Sequence, residues 1–507
     1  MNNTLLENHQ SSVDATPAPS LLAVSAADQH ADDLPVTPAQ KLWILAIALV
    51  TYLMIILDIS IVIAALPEIQ ENFHLSSVQL SWIQNAYLLC FGGFLLVGAR
   101  AGDAYGRRRV LGIGLAIFTL ASFLIGAAPS ATIMIWSRAL QGIGAAILAP
   151  AVLSLIATTF AEGPERTRAL AYYSMVAGGG SSLGMVLGGI LTETVSWRVG
   201  FFLNVPVGIA LALAVAYRLT SARKSSNGVD LTGGLTSTLG MGMLVYGIVR
   251  SAEHGWTDVG TVAAIAGAAI LLTMFFVRES YSSDPMVPLW LFTSRQRVGA
   301  YLSRMLFVGA IVSFFFFTSQ FLQGVLGFTP LQAGLGFLPV TIPTLLGAIL
   351  VPRLTHRLGN SVLLSIALFL AASGFFWLAQ ITSNAIYWRD VAMPMLAIGF
   401  GTGLALGPLT VAGVSGVANR YQGTASGIVN VAHQLGGTLG LAILVVVFSS
   451  VQLAHASTAE VLSGKVAAAT QGAAVMVFGS LVVAVLLIIP GTRPTSRTSP
   501  PLPTATR

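Results

Sequence analysis

Residues 42–66 read LWILAIALVTYLMIILDISIVIAAL, and within them Asp58 carries the only charge. A helix of about 20 apolar residues crosses the hydrocarbon core of a bilayer, so this run is a membrane span. A carboxylate at that depth loses its hydration and costs on the order of 3 kcal/mol. It is therefore protonated, paired, or set against a wet cavity, and all three suit proton-coupled transport. The competing readings are a structural acid bonded to a neighbouring helix, or one lying nearer the outer surface.

The remaining sequence is of the same kind. Of 507 residues, 55% are hydrophobic and 9% charged, with a mean hydropathy of +0.81. Soluble domains carry roughly a quarter charged residues, so lipid must cover most of this surface. Apolar runs recur at helix length, without the alternating ten-residue pattern of a barrel. The fold class is an all-α polytopic membrane protein. The net charge of +6 is spread over short loops, which excludes nucleic acid as a partner. The one cysteine, Cys90, allows no intrachain disulfide, and metal-ligand spacings are absent. No segment upstream of Leu42 has the form of a cleaved signal peptide.

Fourteen spans are expected, near 42–66, 79–100, 109–128, 131–160, 168–192, 199–218, 231–250, 260–277, 300–325, 330–352, 361–381, 387–415, 423–452 and 472–490. Lys and Arg collect in loops on one side, including Arg107, Arg108, Arg109, Arg166, Arg168, Arg218, Arg278, Arg295, Arg297, Arg353, Arg357 and Arg420. The opposite loops hold Arg198, Arg250, Arg389 and Lys465. By the positive-inside rule both termini are cytoplasmic, in a multi-pass protein of the cell (inner) membrane. The expected organisation is a disordered tail (1–41), a six-helix bundle (42–220), a linker with two extra spans (221–299), a second six-helix bundle (300–492) and a disordered tail (493–507). Two related halves around a midplane site is the usual logic of secondary transporters.

Several motifs stand out. Arg138 lies in span four within WSRALQGIGAA (136–146) and must find an acid, carbonyls or water. A cation beside a carboxylate favours its ionised form, whereas burial opposes it. Asp58 and Arg138 are the candidate proton-coupling residues; snorkelling to a helix end is the plainer reading of Arg138. The short loop GARAGDAYGRRR (98–109) sets Asp103 and the turn-permitting Gly106 beside Arg107 and Arg108. An acid there can accept from a helix N-terminus or an arginine, which makes these four a candidate cytoplasmic gate. In span five Gly180, Gly184 and Gly188 recur every four residues, with Gly189 following. Small residues at that spacing let helices approach closely, as plain packing or as a sliding seam between the bundles. Candidate cavity residues are Tyr87, Gln141, Gln320, Gln323, Asn430 and Gln434, since amides inside spans face protein or water. The run Phe314–Phe317 reads as packing. Besides Asp58 and Arg138, only His433 is read as an ionisable group within a span, too few for an enzyme site.

In order along the chain, these pieces resemble the major facilitator superfamily, specifically its fourteen-span drug:proton antiporters (DHA2, QacA/EmrB-like). Residues 57–67, LDISIVIAALP, resemble the first-helix motif LDxTVVNVALP. Residues 98–109 resemble the loop motif GxLaDrxGrk, with Ala101 where leucine is usual. Arg138, Gln141 and Gly142 match RxxQG, residues 197–206 (WRVGFFLNVP) are similar to WRWIFxINVP, and Gln434–Gly437 match a late-helix pattern. One departure concerns the exporter-associated GPxxGG motif, where Met185 replaces proline. The resemblance implies the superfamily's fold and alternating access, with Asp58 in coupling, Arg138 in proton transfer, and Asp103 with Arg107 in the inner gate. It implies a proton gradient as driving force and no cofactor. The expected partners are a small-molecule substrate, protons and the bilayer; nothing names an accessory export protein. The function expected is proton-coupled efflux of a lipophilic or cationic small molecule. A dedicated exporter of one metabolite, such as an antibiotic or siderophore, and an uptake symporter are the alternatives. A sensor is disfavoured because no loop is long enough to carry a soluble domain.

Overall fold

The computed structural model describes residues 37–161, 163–219, 231–282, 285, 287–418, 421–452 and 456–490. Both tails, the linker 220–230 and Arg420 fall outside them, as does the side chain of Asp103. Among the described residues there are helices and no strand. In chain order they are α1 (Pro38–Phe73), α2 (Ser77–Tyr105), α3 (Arg107–Gly126), α4 (Ala131–Thr159), α5 (Pro164–Thr194), α6 (Trp197–Phe202), α7 (Asn204–Arg218), α8 (Leu231–His254), α9 (Val259–Tyr281), α10 (Arg295–Gly324), α11 (Pro330–Leu335), α12 (Leu338–Leu358), α13 (Asn360–Leu378), α14 (Met393–Gly413), α15 (Gln422–Ser450) and α16 (Thr458–Val483). Helices α6 and α7 form one crossing interrupted at Leu203, and α11 and α12 form another. Among the described residues thirteen crossings are long and apolar enough to span a membrane; α5, at 31 residues, matches them in length. The protein is an all-α, multi-pass membrane protein. The face where α1 begins is called the near face below, and the opposite one the far face.

Helix ends follow from local chemistry. Thr37 caps α1, Ser76 caps α2, Thr329 caps α11 and Ser457 caps α16, each in a reciprocal box with Gln40, Gln79, Gln332 and Glu460. Gly106 joins α2 to α3 at φ 87°, a conformation open to glycine. At the far turn between α8 and α9, Asp258 caps α9 by accepting from Thr261 N at 3.0 Å and from Arg250 Nε at 2.7 Å. The Arg250 hydrogen bond, with the Thr261 amide, lowers the Asp258 carboxyl from 3.8 to about 2. A depressed carboxylate stabilises the fold above its unfolded value and stops doing so as pH falls through the folded one. Protection of the first α9 amides from hydrogen exchange, corrected for intrinsic rate, should therefore be full above pH 4 and lost near pH 2. Asp258→Asn should weaken it at neutral pH.

The glycines of α5 set how α1 lies. A Cβ on Gly184 would stand 2.6 Å from Ser60 Cβ, and one on Gly188 would stand 2.8 Å from Ile61 Cα. Gly180 faces Leu53 and Ile56. This stripe thus packs α5 onto α1 inside the first group of helices (α1–α7, with α10–α16 called the second group), not between bundles. Gly189 alone reaches the second group, against Pro330 and Leu331. In the second group α10 and α15 close on each other through Gly309, Gly436 and Gly440. Helix α8 packs on both α2 and α15, with Thr238 filling the space beside Gly93.

At the far face, among the described residues, three hydrogen bonds join the two groups. Ser319 Oγ donates to Ile63 O at 2.8 Å, Gln323 Nε2 to Ala64 O at 3.3 Å, and Leu331 N to Glu193 Oε2 at 3.1 Å. Below that seal lies a cavity of about 210 Å³, walled by α1, α2, α5, α10, α12, α14 and α15.

Candidate functional site

Asp58 and Arg138 meet. They sit on α1 and α4, and burying them apart would leave two uncompensated charges. Arg138 Nη1 donates to Asp58 Oδ2 at 2.7 Å, with the side chains 0% and 1% exposed. The other carboxylate oxygen, Oδ1, accepts from Gln141 Nε2 at 2.7 Å and Asn204 Nδ2 at 2.9 Å. Gln141, one turn beyond Arg138 on the same helix face, also accepts from Arg138 Nη1 at 2.6 Å. Ser122 of α3 accepts from Gln141 at 2.8 Å and donates to Phe118 O. Arg138 Nε donates to Ile83 O at 3.1 Å, and its guanidinium lies 4.3 Å from the centre of the Tyr87 ring. Every charged atom therefore has a partner except Arg138 Nη2, which is buried with none, as is the Tyr87 hydroxyl.

This cluster is enclosed by the first group of helices, and Asp58 is not part of the cavity wall. Its neighbours on α1 are: Ile59, Ser60 and Ile63 line the cavity, one helix face round from the carboxylate. Seven residues of α1, Asp58 to Ala64, thus carry the buried acid, part of the cavity wall, and the carbonyls of Ile63 and Ala64 that seal the far face.

The other sequence candidates are dispersed. Gly106 forms its turn, but Arg107 donates to Thr158 Oγ1 and Arg108 to Ala216 O, both at 2.6 Å and both inside the first group. None of the six proposed cavity residues lines the cavity. Tyr87 and Gln141 belong to the Asp58 cluster, and Gln320 donates to Phe316 O within its own helix. Gln323 helps seal the far face, Asn430 is exposed, and Gln434 is turned toward Gly92 of α2. The polar wall comes instead from Ser60, Gln84, Ser181, Thr341, Thr344, Thr402 and His433. A second correction concerns Arg304, ten residues into α10 and only 8% exposed, which the sequence reading overlooked as an intramembrane charge. Within the cluster, Asn204 had a signal, an amide between Leu203 and Val205; Ser122, which accepts from Gln141 and Asn204, had none beyond a common hydroxyl.

A buried acid–arginine pair beside a cavity between two helix groups is transporter architecture, and comparison with known proteins agrees. The family model for the Major Facilitator Superfamily matches residues 48–441. The chain belongs to that superfamily. It is a transporter and not an enzyme. The cephamycin export protein CmcT of Amycolatopsis lactamdurans is 38% identical over 412 residues, covering 80% of this chain and 85% of the relative. The puromycin resistance protein pur8 of Streptomyces alboniger is 36% identical, covering 80% and 81%. The tetracenomycin C resistance and export protein of Streptomyces glaucescens is 32% identical, covering 82% and 78%. Among solved structures, the bacterial homologue of the human lysosomal transporter Spinster, in an inward-facing occupied conformation, superposes with a TM-score of 0.63 at 15% identity, covering 90% of this chain and 98% of that one. The nucleoside transporter NupG gives 0.62 at 12% identity, covering 88% and 99%. At these identities the structural likeness speaks for the superfamily fold alone. Helix α5 runs unbroken through Met185. A proline there would remove the amide that bonds the carbonyl four residues back and would kink or break the helix, a constraint that Met185 does not impose.

Proposed function

We propose that this superfamily member is a proton-coupled exporter that moves lipophilic small molecules out of the cytoplasm by alternating access. The observation that carries the reading is the placement on α1, within the seven residues Asp58 to Ala64, of the acid paired with Arg138, part of the cavity wall and the far-face seal. Protonation of Asp58 removes one charge of the pair and weakens its hydrogen bonds to Arg138, Gln141 and Asn204. That frees α1 to shift against α4, which alters the cavity at Ser60 and the seal at Ile63 and Ala64 together. Arg138, with an unpartnered Nη2 and its guanidinium over the Tyr87 ring, stays in place to take the carboxylate back when the proton leaves. The Lys and Arg asymmetry favours a near face in the cytoplasm, so the far face, where hydrogen bonds join the two groups, is the outer one. The relatives named for export and resistance support the outward direction. Because the three above are each named for one compound, a dedicated exporter of a single metabolite is the second reading.

The test is transport by the purified protein in proteoliposomes under an imposed proton gradient, with a panel of lipophilic drugs. Asp58→Asn should abolish uphill, gradient-driven movement while exchange without a gradient persists. Uphill transport by Asp58→Asn at the wild-type rate would remove Asp58 from coupling.

A further inference from the structure

The wall of the central cavity is electrically one-sided. Among the described residues that line it, none is acidic, and most are apolar, including Leu88, Phe307 and Phe315. Its polar groups are hydroxyls, Gln84 and His433. Four of the hydroxyls already have a backbone carbonyl to donate to: Ser60 to Ile56, Thr341 to Leu338, Thr344 to Val340 and Thr402 to Ile398. His433 is different, since its Nδ1 is buried without a hydrogen-bond partner. Behind it stands Arg304, within electrostatic range of the imidazole and one turn before the lining residue Val308 on the same face of α10. Arg304 Nη1 donates to Thr410 Oγ1 at 2.9 Å and to the carbonyl of the lining residue Leu406 at 3.4 Å. Its Nε is buried with no partner. An arginine keeps its charge and offers five donors. Here the donors on Nη1 meet only neutral oxygens, and among the described residues no acid pairs with it.

We propose that the cavity selects an amphipathic carboxylate, with its apolar body against Phe307 and Phe315 and its anionic head turned to Arg304 and His433. A buried guanidinium without a counter-ion gains most from a carboxylate, which it can meet through two parallel hydrogen bonds. A cation would meet like charge and no acid in this space, which disfavours it on electrostatic grounds. This rests on the exporter reading above and names its substrate class. Asp58 stays outside the contact: it serves the proton, while the second half holds the anion.

The experiment uses the full chain in nanodiscs of neutral lipid and three probes of one shape: 1-naphthylacetate, its methyl ester, and 2-(1-naphthyl)ethylammonium. The carboxylate should bind the wild type tightest, by about ten- to a hundredfold over the ester, the scale of a hydrogen bond to a charged group. Arg304→Gln should erase that preference by weakening the acid far more than the ester; Arg304→Lys should keep part of it, and His433→Gln should lower it less. Tightest binding by the ammonium, or an equal loss of acid and ester in Arg304→Gln, would overturn the proposal and leave Arg304 as a brace between α10 and α14. Should Arg304→Gln fail to fold, the wild-type ranking of the three probes decides. The same probes in proteoliposomes separate the two readings. Uphill export of the ammonium and not the acid would sink the anion site and keep the exporter. Preferential acid binding with no gradient-driven movement of any probe would do the reverse.

Discussion

Arg138→Ala should destabilise the first group of helices by about 3–5 kcal/mol, the penalty for stranding one member of a buried ion pair. Asp58 would remain at 1% exposure with only Gln141 and Asn204 to hold its charge. The same change removes the bond to Ile83 O and the stacking on Tyr87. Asp58→Asn should cost less, because an asparagine carbonyl still accepts from Arg138 and the guanidinium keeps Ile83 and Tyr87. Removing both charges together, in Asp58→Asn with Arg138→Gln, should restore most of the stability, since a neutral pair carries little desolvation penalty. Transport against a gradient should be lost in all three. Thermal unfolding of the purified proteins, followed through tryptophan fluorescence, measures the first comparison, and proteoliposome flux the second. A fully stable Arg138→Ala would mean that Asp58 holds a proton in the resting fold. In that case the pair is a hydrogen bond between a neutral acid and a cation, and Asp58 is already loaded.

The sequence exposed this pair for a simple reason: a charge inside an apolar run has few places to go, so Asp58 and Arg138 declared themselves by cost. The same logic failed at Arg304. It lies close behind Arg295 and Arg297 at the start of α10, and hydropathy blends a charge into a neighbouring basic loop. Only the tilt and length of that helix carry it below the surface. Thirteen of the fourteen expected crossings were legible among the described residues because apolar length is a local property. Breaks at Leu203 and between Leu335 and Leu338 leave the crossings intact. The cavity wall was not legible at all. Whether Gln434 or His433, adjacent in sequence, faces the cavity depends on the rotation of α15, which is set by the approach of Gly436 and Gly440 to α10. The glycines of α5 announced a close contact without naming its partner, and the partner is α1 for all but Gly189.

The far-face seal should fail when Gly334 is enlarged. Gly334 of α11 lies over α5, where a Cβ would stand 2.5 Å from Met185 O and 3.1 Å from Met185 C. These are backbone atoms of an unbroken helix, so no side chain can rotate away to make room. Gly189 meets the second group in the same manner, 2.6 Å from Pro330 O and 2.8 Å from Leu331 Cα. Gly334→Leu must therefore push α11 off α5, and with it break the bond from Leu331 N to Glu193. The cores within each group are untouched, because Gly334 packs across the divide and not into its own helices. The protein should fold, retain the Asp58 cluster, and rest open at the far face with transport lost. The check replaces Cys90, the only cysteine, with alanine and places a reporter cysteine at Ser60 in the cavity wall. A membrane-impermeant thiol reagent added from the far side should label the reporter rapidly in Gly334→Leu and slowly in the parent. Gly327, which also lies in the far turn but meets nothing within 4 Å, is the matched control, and Gly327→Asn should change neither labelling nor flux. Equal labelling with and without Gly334→Leu would show that the α5–α11 contact is not what holds the two groups together on this face. The seal would then rest on the bonds from Ser319 and Gln323 to α1, the helix that also carries Asp58.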